Sequence, residues 1–128
     1  MTSPKTEKVI FIDRDGVINE DPIGDYVKRW ADFKFIPGVL NGMAKLTRLG
    51  FQIVIISNQA GVGDGVYEKS ELDDITRNML SEFNKKSIPI RAVYYCLHGK
   101  NDNCECRKPK VGLFQQAANE ISFDPSKT

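Results

Sequence analysis

Three short runs of mainly apolar residues, rich in β-branched side chains, limit what this chain can fold into. They are Val9–Ile12, Gln52–Ile56 and Ala92–Cys96. Continuous apolar runs of this length are typical of strands that are buried on both faces, as in parallel sheets. A membrane-spanning helix needs about 20 consecutive apolar residues, so none of these runs predicts one.

The segments between and after these runs have helical periodicity. One helix is predicted to begin at Pro37-Gly38 and end at Gly50, a second at Ser70–Asp73, which resembles a capping box with Asp in place of Glu, and a third at Pro109. Alternating strands and helices predict an α/β fold with a parallel sheet, in a single domain spanning residues 1–128. The apolar positions that define the helices are Val39, Leu40, Met43, Leu46 and Leu49; Leu72, Ile75, Met79, Leu80 and Phe83; and Val111, Leu113, Phe114, Ala117, Ala118 and Ile121.

Residues 17–36 connect the first strand to the first helix, and we call them the flap. This connection is longer than a passive link in a compact domain usually is. It contains Tyr26, Trp30, Phe33 and Phe35. These aromatic side chains favour a packed flap or small hairpin over a disordered tether.

The predicted sheet is small, because three strands are fewer than a typical sheet contains. The apolar strand Val9–Ile12 is a poor edge strand, since an exposed apolar edge invites aggregation. The chain ends at Asp124–Thr128, where a loop to a fourth strand is expected. We therefore expect a C-terminally truncated domain, or a partner that supplies the remaining strands.

The charge is balanced, with 18 Lys and Arg against 17 Asp and Glu and a net charge of +1. This balance excludes a nucleic-acid interface that depends on bulk basicity. The first eight residues contain no apolar segment of the kind found in signal peptides. We expect a monomeric cytoplasmic protein that binds neither membranes nor nucleic acid.

Two aspartates follow the first predicted strand at the point where it ends. Because strand side chains alternate, Asp13 and Asp15 can point the same way, at the carboxyl edge of the sheet where α/β proteins bind ligands. Carboxylates there can act as a nucleophile, a ligand for a hard cation or a proton shuttle. Taken alone, Asp-x-Asp-Gly is also the composition of an ordinary solvated turn.

The loop after the second strand combines a hydroxyl with glycines. Ser57 is followed by Asn58, Gln59 and a glycine-rich stretch to Gly65. A hydroxyl and free backbone N–H groups can hold phosphate oxygens, and glycines permit close approach. The spacing matches neither a dinucleotide fingerprint nor a P-loop, and alone it also fits a flexible connection.

All three cysteines and the only histidine lie between residues 96 and 106. Cys96, His98, Cys104 and Cys106 form a set that a tetrahedral structural zinc ion would accept. Three cysteines leave one unpaired, and no secretion signal is present, so disulfides are disfavoured. The alternatives left open are a buried cysteine with scattered loop thiols, and a nucleic-acid-binding zinc module, which the charge balance disfavours.

A basic pair, Arg107 and Lys108, precedes the third predicted helix. Lys is a compact charge for a phosphoryl group, and Arg offers a two-pronged donor for a second anion. The N-terminus of the helix adds partial positive charge. In isolation the pair is equally typical of a solvated turn.

Together these motifs resemble those of the haloacid-dehalogenase-like phosphohydrolases over nearly the whole chain from Val9. The resemblance implies a Rossmann-like three-layer α/β/α fold with a parallel sheet and without a cap domain. It implies that Asp13 becomes phosphorylated and that Asp15 is the general acid and base. Mg²⁺ is then bound by Asp13 and the backbone carbonyl of Asp15. The matching segments are Asp13–Asn19, Ser57–Val62 and Arg107–Lys110.

The resemblance also implies roles around the phosphoryl group. The Ser57 hydroxyl and loop amides, including those of Asn58 and Gln59, hold it, and Lys108 neutralises its charge. Arg107 aids substrate recognition.

The cysteine and histidine pattern makes the chain most similar to the D-glycero-D-manno-heptose 1,7-bisphosphate phosphatase group, which implies a small phosphorylated sugar as substrate and a structural Zn²⁺. Asn19, Asp21 and Tyr26 on the flap are candidates for contacts with sugar hydroxyls. The fourth family motif, with a further Mg²⁺ ligand, is absent and is expected after Thr128. Two alternatives stay open: a histidinol-phosphate phosphatase, and a catalytically impaired zinc-bound fragment or binding module.

Overall fold

A three-stranded parallel sheet forms the centre of the structure, which is a computed structural model describing residues 8–99, 104 and 112–121. The strands are β1 (Val9–Asp13), β2 (Gln52–Asn58) and β3 (Ile90–Cys96), in the order β1-β2-β3. Both pairings are parallel. The prediction of an α/β fold with a parallel sheet is therefore confirmed.

Four helices accompany the sheet, and they pack on both of its faces. They are α1 (Val39–Arg48), α2 (Ala60–Gly63), α3 (Lys69–Lys85) and α4 (Gly112–Glu120). Ile53 and Ile55 of β2 share one buried cluster with the apolar sides of α1 and α3. Val54 and Ile56 point the other way, into a cluster with α4. Alternating side chains along one strand thus build the three layers that the resemblance implied.

Two details differ from the sequence predictions. β1 is only partly buried beyond Val9, because within the described residues it pairs with β2 alone. Helix α3 begins at Lys69, and its capping box joins Glu68 to Glu71, whose carboxylate accepts a 3.0 Å bond from the Glu68 backbone N–H. The predicted start of the third helix at Pro109 lies outside the described residues.

The flap packs against the body of the domain. Its ends are joined by backbone hydrogen bonds from Glu20 N to Lys34 O at 2.8 Å and from Ile36 N to Ile18 O at 2.9 Å. Inside it, Trp30 stacks on Phe33 with ring centroids 5.0 Å apart. Its aromatic interior therefore forms one side of the main core. Among the helices that the structure describes, none is both long and apolar enough to cross a membrane.

Candidate active site

Polar side chains gather where the three strands end. Asp13 is the last residue of β1 and pairs with Ile56, one residue before Ser57 in β2. Asn58 closes β2 and pairs with Cys96, the last residue of β3. The carboxyl edge of the sheet therefore brings the first aspartate, the loop hydroxyl and the cysteine motif together, as the order of elements predicted.

A tight turn after β1 sets the position of the second aspartate. Gly16 has φ +86°, a left-handed conformation that glycine adopts without strain. The turn is closed by backbone bonds from Gly16 N to Asn19 O and from Ile18 N to Arg14 O, both 2.8 Å. It brings Asp15 and Asn19 side by side, and Asn19 is fully buried.

The carboxylate of Asp15 is held by three neighbouring side chains. Its Oδ1 accepts hydrogen bonds from Arg14 Nη2 at 2.8 Å and Nε at 3.0 Å, and from Asn19 Nδ2 at 3.0 Å. Its Oδ2 accepts a bond from Gln59 Nε2 at 3.0 Å. The side chain is 21% exposed, so the carboxylate is oriented by the protein yet still open to a ligand.

Arg14 is a site residue to which the sequence assigned no role. Its guanidinium is fully buried and lies 5.8 Å from the ring centroids of both Phe33 and Tyr95. Burial alone lowers the pKa of Arg14, but the adjacent Asp15 charge outweighs it and raises the pKa above its ordinary value. Arg14 therefore stays charged and anchors Asp15.

The side chain of Gln59 connects the two halves of the site. Its Nε2 donates to Ser57 Oγ at 2.9 Å as well as to Asp15, and its Oε1 accepts a 2.6 Å bond from the hydroxyl of Tyr67. Tyr67 was not singled out from the sequence. Its only signal is a lone aromatic residue between a glycine-rich loop and a helix.

Asp21 brings a third carboxyl group close to the two aspartates. Desolvation, followed by the charges of Asp15 and Asp13, raises the pKa of Asp21 above its ordinary value. Oxygen ligands and concentrated negative charge suit a hard divalent cation such as Mg²⁺, so the donor set at Asp13 and Asp15 fits this ion. Tyr26, the other flap candidate, packs on Tyr67 with ring centroids 5.9 Å apart.

The described part of the cysteine motif has the spacing of a metal site. Cys96 Sγ lies 3.6 Å from Cys104 Sγ and 3.6 Å from His98 Nδ1. A tetrahedral zinc ion with ordinary bond lengths places two sulfurs about 3.8 Å apart and a sulfur and a nitrogen about 3.6 Å apart. A disulfide requires about 2.05 Å between the sulfurs. The three side chains therefore fit zinc, and they are not oxidised to a disulfide.

The turn that carries His98 packs directly against α2. The backbone N–H of Gln59 donates to Cys96 O at 2.8 Å. A Cβ added to Gly63 would lie 2.2 Å from Gly99 N and 2.5 Å from Leu97 O, so only glycine permits this approach. The metal-binding turn and the loop after β2 are therefore one packed unit. Cys106, Arg107 and Lys108 lie outside the described residues.

Comparison with known proteins identifies the family. A family model described as "Polynucleotide kinase 3 phosphatase" matches residues 8–127. The D-glycero-beta-D-manno-heptose-1,7-bisphosphate 7-phosphatase of Haemophilus influenzae is 35% identical over 127 residues, covering 94% of this chain and 68% of the relative. A probable heptose-bisphosphate 7-phosphatase of Thermoplasma volcanium is 35% identical over 117 residues, covering 91% of this chain and 79% of the relative.

Solved structures give the same result. The D,D-heptose 1,7-bisphosphate phosphatase of B. bronchiseptica, complexed with magnesium and phosphate, matches with a TM-score of 0.83 and 33% identity, covering 88% of this chain and 63% of that one. A HAD-like phosphatase structure from Mesorhizobium loti matches with a TM-score of 0.82 and 26% identity, covering 95% and 60%. The chain thus spans less than two thirds of either solved structure. It belongs to the haloacid-dehalogenase-like phosphatases, in the family that includes the heptose bisphosphate phosphatases.

Proposed function

We propose that this chain forms the active site of a Mg²⁺-dependent phosphomonoester hydrolase that acts on a sugar bisphosphate, D-glycero-D-manno-heptose 1,7-bisphosphate in the first instance. The observation that carries the proposal is the anchoring of Asp15 beside Asp13 and Ser57 by Arg14 and Gln59. A carboxyl group held this firmly, yet open to a ligand, suits proton transfer to and from a bound phosphate ester. The substrate class is supported by the names of the relatives.

The first chemical step transfers the phosphoryl group to Asp13. A carboxylate oxygen of Asp13 attacks phosphorus, and the bond between phosphorus and the sugar oxygen breaks. The electron pair goes to the sugar oxygen, which takes a proton from Asp15. Ser57 and the loop amides after it donate to the phosphoryl oxygens and stabilise the charge that develops on them.

The second step releases phosphate. Asp15, now a carboxylate, removes a proton from water as the water oxygen attacks the phosphorus of the aspartyl phosphate. The bond between phosphorus and the Asp13 oxygen breaks, which frees inorganic phosphate and restores the Asp13 carboxylate. Asp15 is again protonated and ready for the next substrate, so one residue serves both steps.

The carboxylate of Asp13 and the backbone carbonyl of Asp15 are the groups that would hold Mg²⁺. The bound ion supplies positive charge that balances the phosphoryl oxygens and the gathered carboxylates. Asp21 adds to that negative charge, as the raised pKa of its carboxyl group indicates. Lys108 and Arg107 complete the proposal as cationic partners for the reacting phosphate and for a second anionic group.

Specificity is assigned to two segments, because the resembled enzymes lack a cap domain. The flap, with Asn19, Asp21 and Tyr26, and the loop of residues 96–106 border the site. Asn19 is fully buried with its amide donating to Asp15, so in this proposal it contributes to the catalytic carboxylate in addition to any substrate contact. The single-domain organisation, the monomeric state and the cytoplasmic location stay predictions from the sequence.

Mg²⁺-dependent phosphate release is the measurement that tests the function. Heptose 1,7-bisphosphate and histidinol phosphate are compared at equal concentration, with EDTA as the metal-free control. We expect the bisphosphate to be hydrolysed with a kcat/KM at least 10-fold higher, because it offers a second anion to the basic pair. The protein used extends to the full length of the natural chain.

Each other outcome selects a different function. Faster release from histidinol phosphate makes the chain a histidinol-phosphate phosphatase. Equal rates with and without Mg²⁺ contradict the mechanism. Binding of the sugar bisphosphate without any release makes the chain a zinc-bound binding module.

We also propose a structural zinc ion held by Cys96, His98, Cys104 and Cys106. The first three are supported by the spacing of their ligand atoms, which all lie within 4.8 Å of one another. Four protein ligands would leave no position for water, so the ion would have no direct chemical role. Its effect would be to order the loop that leads to Arg107 and Lys108.

Substitution of Cys104 by Ser tests the zinc proposal. A serine hydroxyl is a poor zinc ligand, so we expect zinc content to fall at least 10-fold and the thermal unfolding midpoint to drop. Zinc is measured by atomic absorption on purified protein. In the wild type, chelation is expected to reproduce the loss, and Zn²⁺ but not Mg²⁺ to reverse it. A variant with wild-type zinc content and unfolding midpoint would show that Cys104 is not a ligand.

A further inference from the structure

Two buried polar side chains at the site have no part in the chemistry described above. Gln59 is 1% exposed and Tyr67 is 5% exposed. Burying an amide and a phenol is costly unless each donor and acceptor is satisfied. Here both are satisfied through each other and through Asp15 and Ser57, so the pair has a defined arrangement.

The orientation of the Gln59 amide follows from its neighbours. Arg14 has only donors, and its Nη2 lies 3.4 Å from Oε1 of Gln59. An ionised Asp15 has only acceptors, so it requires the NH₂ group of the amide, as the 3.0 Å bond shows. A flipped amide would place oxygen against carboxylate and nitrogen against guanidinium. The Tyr67 hydroxyl, which donates to Oε1 at 2.6 Å, adds the shortest bond that favours the observed orientation.

The two oxygens of Asp15 are consequently in different situations. Oδ1 accepts three bonds, two from Arg14 and one from Asn19. Among the described residues, Oδ2 accepts a bond from Gln59 alone, and the same nitrogen also donates to Ser57 Oγ. Oδ2 is therefore the oxygen on the side of the phosphoryl-binding hydroxyl, with capacity left for a proton.

From this geometry we infer that Tyr67 is a positioning residue: through Gln59 it holds Asp15 so that Oδ2 is the oxygen that gives a proton to the leaving group and takes one from water. The inference rests on the proposed function and deepens it. Tyr67 touches neither the substrate nor the reacting atoms, and it acts through the amide of Gln59.

The environment of Tyr67 fits a fixed donor. Burial is the main cause that raises the pKa of Tyr67 to about 12, so the hydroxyl keeps its proton at neutral pH. A Cβ on Gly61 would lie 2.2 Å from Cε1 of the Tyr67 ring, so the ring occupies space that only glycine leaves open. Tyr26 of the flap covers the ring from the other side.

Tyr67→Phe removes the hydroxyl and keeps the ring. With the sugar bisphosphate we expect kcat to fall about 10-fold and KM to change less than 2-fold, because proton transfer loses alignment while phosphate binding does not. With an aryl phosphate, whose phenolate leaves with little need for a proton, we expect a fall of less than about 3-fold in the rate of phosphoryl transfer to Asp13, measured as the burst of phenolate.

Tyr94→Phe is the matched control. Tyr94 is 6% exposed, lies in β3 and donates its hydroxyl to Glu120 on the far layer of the fold. Burial likewise raises the pKa of Tyr94, to about 12. Loss of this hydroxyl is expected to leave kcat and KM for both substrates unchanged.

A second variant checks the route through the amide. Gln59→Met keeps a side chain of similar length without the donor or acceptor. If Tyr67 acts through Gln59, adding Tyr67→Phe to Gln59→Met lowers kcat no further, whereas independent effects would multiply.

Three results would overturn the inference. One is a Tyr67→Phe enzyme with wild-type kcat on the sugar bisphosphate. Another is an equal loss with both leaving groups, and the third is full multiplicative loss in the double variant. A wild-type protein without phosphatase activity would instead defeat the proposed function, so the two failures are distinguishable.

Discussion

Replacement of Asp13 by Asn is expected to reduce phosphate release by at least about three orders of magnitude. An amide cannot attack phosphorus, and it also removes the carboxylate proposed to hold Mg²⁺. The backbone N–H of Arg14 donates to Asp13 Oδ1 at 2.8 Å, and an amide oxygen can accept that bond equally well. The fold should therefore survive, and the loss should appear in kcat at unchanged thermal stability.

Asp73→Asn serves as the control for Asp13→Asn. Asp73 lies on the surface of α3, 3.1 Å from Lys69 Nζ, and exposed ion pairs of this kind contribute little to stability. We expect full activity from this variant. Phosphate release by Asp13→Asn at the rate of Asp73→Asn would contradict the aspartyl-phosphate mechanism.

Gly63→Ala is expected to have the largest effect among the glycine substitutions outside the left-handed turns. The added methyl group would meet Gly99 N at 2.2 Å and His98 C at 2.6 Å, and these backbone atoms belong to the turn that bears the metal ligand His98. Relief of the clash requires the turn to move away from α2. We expect a loss of about 2–3 kcal/mol in the free energy of unfolding, seen as a fall of roughly 5–10 °C in the melting temperature, together with reduced zinc content.

Gly42→Ala is the control for Gly63→Ala. Gly42 is helical, in α1, and a Cβ there would have nothing within 4 Å. Alanine in a helix is favoured over glycine by up to about 1 kcal/mol, so this variant should be as stable as the wild type or more so. Equal melting temperatures and zinc contents for the two variants would show that the turn does not depend on close contact at Gly63.

The elements of the fold were predictable because their signals are local. Buried strands are short apolar runs, and the helix α3 repeats apolar residues at the spacing of its turns, with Leu72, Ile75, Met79 and Phe83 all buried. Asp13, Asp15 and Ser57 were found because each follows directly after such a run. Strand order in an α/β sheet then brings the ends of neighbouring strands to one edge.

The partners of these residues were not predictable from local patterns. Strand alternation places Arg14 on the opposite face from Asp15, yet β1 ends at Asp13, so the alternation no longer applies and both side chains meet. Tyr67 reaches Gln59 across a loop whose path depends on Gly61. The zinc-binding pattern was visible in the spacing of the cysteines, but its contact with Gly63 was not.

The sequence by itself determined the α/β class, the carboxyl-edge position of the site and the residue types able to handle phosphate and metal. These depend on periodicity and on short spacings, which the chain carries along its length. Only the tertiary structure decided which donor holds each oxygen of Asp15, and how closely the metal-binding turn approaches α2. Those facts depend on side-chain directions and on contacts between residues far apart in the chain, and both are set when the layers pack.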